Sequence, residues 1–528
     1  MKKFLNPPKP TFLKSKLPKL TFLKPTFLKP TFPKPKLWHT IALTATIVAF
    51  FVLRLINLNG LPVFVDEAIY IRWAQVMRSE PTLRFLPLQD GKQPLFMWAM
   101  IPMFKIFNDP VIAGRVLSVL AGFGSLLGLT TLSYLLFSSL KISLVTGLLY
   151  AITPYTVFFD RLALVDSMLA MFGIWSLVIG YLYVKKPRLD LAMILGVILG
   201  LAFLTKSPAI FFYLWQPILA IFFFKKLHFR SAIKLLAGWL LAFVISQAIY
   251  NILRLGSNFN MVGSRNQDYL FSFSEVLQHP LNPFTGNLKS TLSWIFTLLT
   301  PPIALSALLS FSKKETRRKA LAILTISMTP LIAQALIAKV YTPRYLYFAV
   351  LPLIILTSLG LVWISKKVKK QTLLILLVLL FPLITSVFYI FKPAEINMPS
   401  RMRHGYLEEW TAGWGQKDFA NYLINLSNQG KTIVVGAEGY FGTLPDGLQI
   451  YTEGRPNITV IGIGQPAVKI PEALENTSKE NLIFLVINKS RNNLKPHDLQ
   501  KLELIKTYPK PARPDGTQEE LQVYQLIK

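Results

Sequence analysis

The sequence contains no cysteine. That absence excludes disulfides, thiolate metal sites and cysteine nucleophiles, and leaves the compartment open. Histidine is scarce. His39, His228, His279, His404 and His497 show no paired metal-ligand spacing and read as interfacial or surface residues. No Gly-x-Ser-x-Gly elbow and no His/Asp partner set for a serine nucleophile is present. Charge is sparse as well: Asp, Glu, Lys and Arg make up 16%, where a soluble chain carries roughly a quarter. Within that small share acid is the rarer sign, 26 against 57 basic residues, for a net charge of +31 over 528 residues. An ordinary cytosolic enzyme does not have this composition.

What fills the chain is apolar. Hydrophobic residues reach 52%, aromatics 13%, and mean hydropathy is +0.44. The expected class is a polytopic α-helical membrane protein, its aromatics suited to membrane interfaces. Apolar runs near the roughly 20 residues that a bilayer core requires lie at 38–57, 111–137, 142–158, 163–184, 189–204, 207–224, 231–252, 290–311, 320–338, 345–364 and 371–391. That is about eleven transmembrane helices. The apolar stretch 94–108 is short and reads as interfacial or re-entrant.

The excess of positive charge has an address. Residues 1–36 hold ten lysines and no acid, with TFLK at 11–14, 21–24 and 26–29 and TFPK at 31–34. Residues 1–37 therefore read as a proline-broken, low-complexity cytoplasmic tail that touches anionic headgroups rather than nucleic acid. Basic loops recur at Lys185–Arg188, Lys225–Arg230, Lys313–Lys319 and Lys366–Lys370. Loop 58–110 instead balances five basic and five acidic residues. The positive-inside rule then places the N-terminus inside, and puts loops 58–110 and 253–289 and the C-terminal region outside.

Beyond 391 the pattern changes. Short apolar runs at 431–436, 457–462, 481–487 and 502–507, with a helical pattern at 416–427, predict a small α/β domain over 392–528 with a partly parallel sheet. No Gly-x-Gly-x-x-Gly follows its first strand and no Walker pattern occurs, so nucleotide binding is not expected.

The spans are largely free of charge. Arg54, Asp66, Glu67, Lys92, Arg115, Asp160, Arg161, Asp166, Lys206, Arg265, Lys339 and Arg344 gather instead at predicted outer helix ends. Asp66-Glu67 opens a predicted helix. Spacing alone fits an N-cap with a first-turn acid, or a carboxylate serving as general base, its pKa raised by a low-polarity site. Lys92, Arg161, Lys206 and Arg344 each fit a snorkelling interfacial residue. Taken together on one face they fit a clamp for a lipid phosphate or diphosphate. Asp160 or Asp166 is also a candidate ion-pair partner of Arg161.

An early outer Asp-Glu, Lys92-Gln93-Pro94-Leu95, an Arg-x-x-x-x-Asp at Arg161–Asp166, Leu204-Thr205-Lys206 and Pro343-Arg344-Tyr345, in that order, resemble the GT-C glycosyltransferases. The protein mannosyltransferase and aminoarabinose (lipid A) transferase group, glycosyltransferase family 39 and its relatives, is the branch resembled, over roughly residues 40–420. The resemblance implies a GT-C fold and a polyprenyl-phosphate sugar donor. It also implies inverting transfer to a lipid, glycan or protein acceptor on the extracytoplasmic face of the cell membrane. In its terms Asp66 is the catalytic base and Glu67 a supporting acid. Lys92, Arg161, Lys206, Arg344 and Tyr345 hold the donor phosphate, with Asp160, Asp166 and Arg265 in support. No cofactor is required and no metal is predicted, with a divalent ion at Asp66 and Glu67 left open. No nucleic-acid partner is expected. Two departures stand out: Gln93 and Ser207 occupy positions where some relatives carry proline and glycine. The competing readings are a ligase or polymerase using diphosphate-linked glycans, and a non-catalytic lipid or solute transporter.

Overall fold

The computed structural model describes residues 36–224, 229–365, 371–477 and 480–527. The basic tail up to residue 35 and the basic turns at 225–228 and 366–370 lie outside the described residues.

Helix α1 (Leu37–Leu55) exposes Ile41, Leu43, Val48 and Val52 along its length, as a helix facing lipid would. Helix α2 (Val65–Ser79) and the short α3 (Leu95–Met100) follow, joined by 3₁₀ turns at Pro81–Leu83 and Leu86–Asp90. Helix α4 (Pro110–Phe137) starts where Asp109 caps it, accepting from the amides of Val111 at 2.9 Å and Ile112 at 3.1 Å, with proline at the first position. Pro154 breaks the next run into α5 (Leu140–Ile152) and α6 (Pro154–Phe159). Then come α7 (Val165–Lys185), α8 (Leu189–Thr205), α9 (Ile210–Phe223) and α10 (Phe229–Tyr250). Two small helices, α11 (Met261–Tyr269) and α12 (Phe273–Gln278), lead to α13 (Phe284–Leu298) and α14 (Pro301–Leu308). The last pair bends by 109° where Pro301-Pro302 follows Thr300. Helix α15 (Lys314–Ile337) precedes α16 (Pro343–Val350) and α17 (Leu353–Ile364), bent by 53° at Pro352, and α18 (Gln371–Phe391).

Helix therefore forms at every apolar run of the sequence, but the runs differ in kind. Five helices are long and apolar enough to cross a membrane, or seven when each bent pair is one span, among the described residues. The others are shorter apolar helices, including Leu189–Thr205 and Ser207–Phe223. This is the architecture of a polytopic helical membrane protein.

The short α19 (Ser400–Arg403) and the amphipathic α20 (Gln416–Asn428) lead into a five-stranded sheet. Strands β1 (Ile433–Ala437), β2 (Ile458–Gly462) and β3 (Leu482–Asn488) run parallel; β4 (Leu502–Pro509) and β5 (Glu520–Leu526) are antiparallel, in the order β2-β1-β3-β5-β4. β1 is apolar throughout and β3 up to its last residue, Asn488, as strands covered on both faces require. β5 is an addition to the four expected strands. Gln522 and Gln525 interrupt its apolar residues, so no run forms, although Leu521 and Val523 pack on one face of the sheet and Tyr524 and Leu526 on the other.

Helix α21 (Asp446–Thr452), after β1, fastens this sheet domain to α2. Gln75 Nε2 donates to the Ile450 carbonyl at 2.9 Å, Arg72 Nε to Gln449 Oε1 at 3.1 Å, and Arg78 pairs with Glu453 at 2.7 Å. The chain entering the domain also lies along the start of α2: the Val65 amide donates to Thr411 O at 3.0 Å and the Gly413 amide to Val63 O at 2.8 Å. Lys417 reaches back to the Asp109 cap at 2.5 Å.

Candidate active site

The start of α2 separates two neighbouring acids. Phe64, not Asp66, is the N-cap residue. Glu67 does the capping, its Oε2 accepting from the Phe64 amide at 3.0 Å. The same fully buried carboxylate takes both forks of Arg115, at 2.8 and 2.7 Å, and the Ala163 amide at 2.7 Å. Arg115 spends its remaining donors on the carbonyls of Leu58, Leu61 and Pro62. Glu67 is thus the anchor that fixes the loop before α2, not a group presented to a substrate.

Asp66 points the other way. Its Oδ2 pairs with Arg344 Nη1 at 2.5 Å. Lys92 and Lys206 lie close enough to act on its charge. Burial pushes the Asp66 carboxyl up, but Arg344, Lys92 and Lys206 together outweigh it and hold the group below the usual carboxylate range. The expected raised pKa is corrected here, because the cations win over desolvation. Lys92 donates to Tyr269 Oη at 3.2 Å. Lys206 pairs with Asp166 at 2.7 Å and lies 4.4 Å from the Tyr345 ring centre. The Arg344 guanidinium lies over both Phe64 and Tyr345. Asp166 keeps its second oxygen buried without a protein partner.

Three elements thus converge on α2: the turn before α3 brings Lys92, the turn after α8 brings Lys206, and the start of α16 brings Arg344 and Tyr345. The first two turns are tied together, since Gln93 Nε2 donates to Ser207 Oγ at 2.8 Å. The two departures from the resembled family are therefore one contact, each partner following one of the two lysines in sequence. Tyr269 and Tyr70 also belong to the cluster. Sequence reading did not single them out, because a tyrosine in an apolar stretch carries no spacing signal. Tyr269 arrives on α11, which Arg265 ties to the turn before Lys92 through Asp90 at 2.7 Å.

Arg161 and Asp160 stand apart from the cluster. Arg161 Nη1 and Nη2 donate to the carbonyls of Leu53, Arg54, Ile56 and Asn57 at 2.7–3.0 Å. It satisfies the open C-terminus of α1, and its fork is filled by backbone. Asp160 pairs with fully buried Arg54 at 2.9 Å and accepts from Tyr150, Tyr347 and Ser167. Neither Asp160 nor Asp166 pairs with Arg161. Among the described residues no three His, Asp or Glu side chains come together as a metal-ligand set.

A family model described as dolichyl-phosphate-mannose-protein mannosyltransferase matches residues 91–250, the stretch that carries Lys92, Asp166 and Lys206. No curated protein matches the sequence. Among solved structures, ArnT from Cupriavidus metallidurans in the apo state superposes with a TM-score of 0.56 at 13% identity, covering 92% of this chain and 97% of that one. The same protein bound to undecaprenyl phosphate gives 0.56 at 13%, covering 92% and 98%. The oligosaccharyltransferase AglB from Archaeoglobus fulgidus, in complex with an inhibitory peptide and a dolichol-phosphate, gives 0.46 at 13%, covering 92% and 74%. The chain has the GT-C fold and resembles the mannosyltransferase and ArnT-like glycosyltransferases.

Proposed function

We propose that this protein is a membrane glycosyltransferase that moves a sugar from a polyprenyl-phosphate donor to an acceptor hydroxyl at the extracytoplasmic face. The observation that carries this reading is Asp66, held in contact with Arg344 beside Lys92 and Lys206. Three cations against the two carboxylates Asp66 and Asp166 leave one positive charge in excess, suited to the single negative charge of a sugar–phosphate–prenyl diester.

The geometry supports an ordered sequence. The donor phosphate competes with Asp66 for Arg344 and with Asp166 for Lys206. Taking those cations, it releases the Asp66 carboxylate toward the acceptor. The acceptor oxygen attacks the anomeric carbon and Asp66 accepts its proton. The bond from that carbon to the phosphate oxygen breaks, and the phosphate leaves with the electron pair, stabilised by Lys92, Lys206 and Arg344. One displacement inverts the anomeric centre. The relative that binds undecaprenyl phosphate on the same fold supports the donor class.

Membranes containing the protein or its Asp66→Asn variant, given radiolabelled polyprenyl-phosphate sugars, test the reading. Label is expected in a lipid, glycan or protein fraction with the parent chain, falling at least about a hundredfold with the variant, the range of general-base loss. Undiminished transfer by Asp66→Asn would remove Asp66 from the chemistry. Transfer from diphosphate donors alone would shift the protein to the ligase class.

A further inference from the structure

The far end of α2 borders a cavity that the transfer site does not use. Met77, eleven residues after Asp66, lies about 16 Å further along the helix. There a cavity of about 700 Å³ opens between the last turn of α2, the turn Pro81–Leu83, α3 and the 3₁₀ turn Asn251–Leu255 that follows α10. Its walls are apolar: Met77, Phe85, Trp98, Ile252 and Leu255. Its rim is charged. Arg84 Nε donates to the Pro81 carbonyl at 3.0 Å, and Trp98 Nε1 donates to the Arg84 carbonyl at 2.7 Å. The guanidinium is aimed by these bonds, while its Nη1 and Nη2 keep no protein partner. Glu80 Oε1 accepts from the Thr82 amide at 3.3 Å and from its hydroxyl at 2.6 Å, and Thr82 lines the cavity. The same bonds hold the Glu80 carboxyl below its ordinary value, so it is ionised, with Oε2 unspent. Arg84 and Glu80 pair neither with each other nor with another described residue.

The apolar wall continues down α10. That helix with its 3₁₀ extension, Phe229–Leu255, is one of the five elements long and apolar enough to cross a membrane. Ile233, Leu240, Val244, Ile252 and Leu255 are exposed along one face of it, with Ala237 and Ala248 between them. The stripe ends in the cavity, where Leu255 is 78% exposed. A lipid lying along α10 therefore meets the cavity at its head. The level is that of the transfer site, because Tyr250 at the end of α10 packs 5.5 Å from Phe203, three residues before Lys206. Phe85 and Trp98, edge to face with centres 5.7 Å apart, supply the aromatic rings typical of a membrane interface.

We infer that this cavity binds one zwitterionic phospholipid with a primary ammonium head, of the phosphatidylethanolamine class. The lipid phosphate takes the free fork of Arg84. Its ammonium donates to Glu80 Oε2, and an acyl chain follows the exposed stripe of α10. The charges select the occupant. One cation and one anion at the rim match a head group of the same pair. Phosphatidylglycerol offers Glu80 no cation, and neither does a polyprenyl phosphate. Phosphatidylcholine brings a quaternary ammonium with no N–H to donate. The inference requires only that the helices lie in a membrane, and it stands or falls apart from the glycosyltransferase reading.

The test offers the detergent-purified full chain an equimolar mixture of dioleoyl phosphatidylethanolamine, phosphatidylglycerol and phosphatidylcholine, and counts retained lipid by native mass spectrometry. Phosphatidylethanolamine should exceed each of the others by about fivefold, the upper range for an exposed charge pair. Arg84→Ala should abolish that excess. Glu80→Gln keeps an acceptor for Thr82 and should abolish only the discrimination against phosphatidylglycerol. Equal retention of the three lipids by the parent chain, or a preference for either of the other two, overturns the proposal. So does an excess over phosphatidylglycerol that either variant leaves intact. Because the chain has no cysteine, Leu255→Cys gives a single spin-labelling site in phosphatidylethanolamine-containing nanodiscs. Relaxation of that label by lipid-dissolved oxygen fits the inference. Relaxation by a water-soluble nickel chelate instead would take the mouth of the cavity out of the bilayer and overturn it.

Discussion

Asp66 illustrates how a residue with one role is tuned by its neighbours. Burial alone would make it a weak acid, yet the cations keep it ionised. An ionised but strongly paired carboxylate is a poor base until its partners are drawn away. On the proposed sequence the donor phosphate does this, sharing Arg344 and adding its own negative charge. Both effects raise the Asp66 pKa in the donor complex. The sign is then fixed. The acid limb of kcat/KM for the donor, which reports the free enzyme, should lie below the ordinary carboxylate range. The acid limb of kcat, which reports the complex, should lie at higher pH. Steady-state pH profiles with saturating acceptor check this, and coincident limbs would remove the exchange of partners. The same scale shows what the sequence could and could not disclose. Asp66, Lys92, Lys206, Arg344 and Tyr345 are brought together as their order along the chain suggests. Arg161 has the same residue type and predicted face, but its donors serve carbonyls left open where α1 ends. Sequence marks the cation without marking which acceptors are left unsatisfied around it.

At the scale of elements, the membrane region is held by buried charge at places where helices end. Arg54 closes α1 onto the α5–α6 break, donating to the Tyr150 and Ala151 carbonyls while pairing with Asp160. Tyr347 from α16 joins the same carboxylate at 2.8 Å. Both partners of the ion pair are fully buried, so removing one leaves the other's charge uncompensated. Asp160→Ala should therefore cost about 3–5 kcal/mol, and replacing both partners with leucine should cost much less. Thermal unfolding of the detergent-purified variants checks this. A double-variant loss equal to the sum of the Asp160 and Arg54 single losses would show that the pair contributes no specific coupling. Gly122 explains why α4 comes so near: any β-carbon there would run into the Asp160 carboxyl. The helices themselves were readable from apolar runs, because lipid-facing and buried positions are both apolar. Their breaks at Pro154, Thr300–Pro302 and Pro352 were not, since a proline within a hydrophobic run is compatible with a straight span or a bent one. Strand β5 escaped because Gln522 and Gln525 break its seven residues into pieces too short to read as an apolar run.

At the scale of the whole molecule, the sheet domain is fixed to the helix that carries Asp66, and one buried acid sits at the joint. Asp446 begins α21 and is 7% exposed. Burial pushes its carboxyl up to about 6, against the opposing pull of the Gly442 amide and of Arg72 across the joint on α2. A carboxyl raised in the folded state binds its proton more tightly there than in the unfolded chain. Its contribution therefore favours folding at low pH and is lost as pH rises from about 4 through about 6. Holding the proton until about pH 6 instead of about pH 4 corresponds to at most about 3 kcal/mol. Asp446→Asn places a neutral group of the same shape at the joint, and its side-chain oxygen still accepts from the Gly442 amide. The variant should match the parent near pH 4 and melt at higher temperature than the parent at pH 7, with the gap opening between those values. Scanning calorimetry or fluorimetry across that range reads it directly. A gap independent of pH would mean that Asp446 titrates normally. The loop it clips, with Tyr440 and Phe441 at its tip, would then owe its position to the positive φ of Gly439 and Gly442 and to the close approach of Gly442 to Val65, not to a proton held between the two halves of the protein.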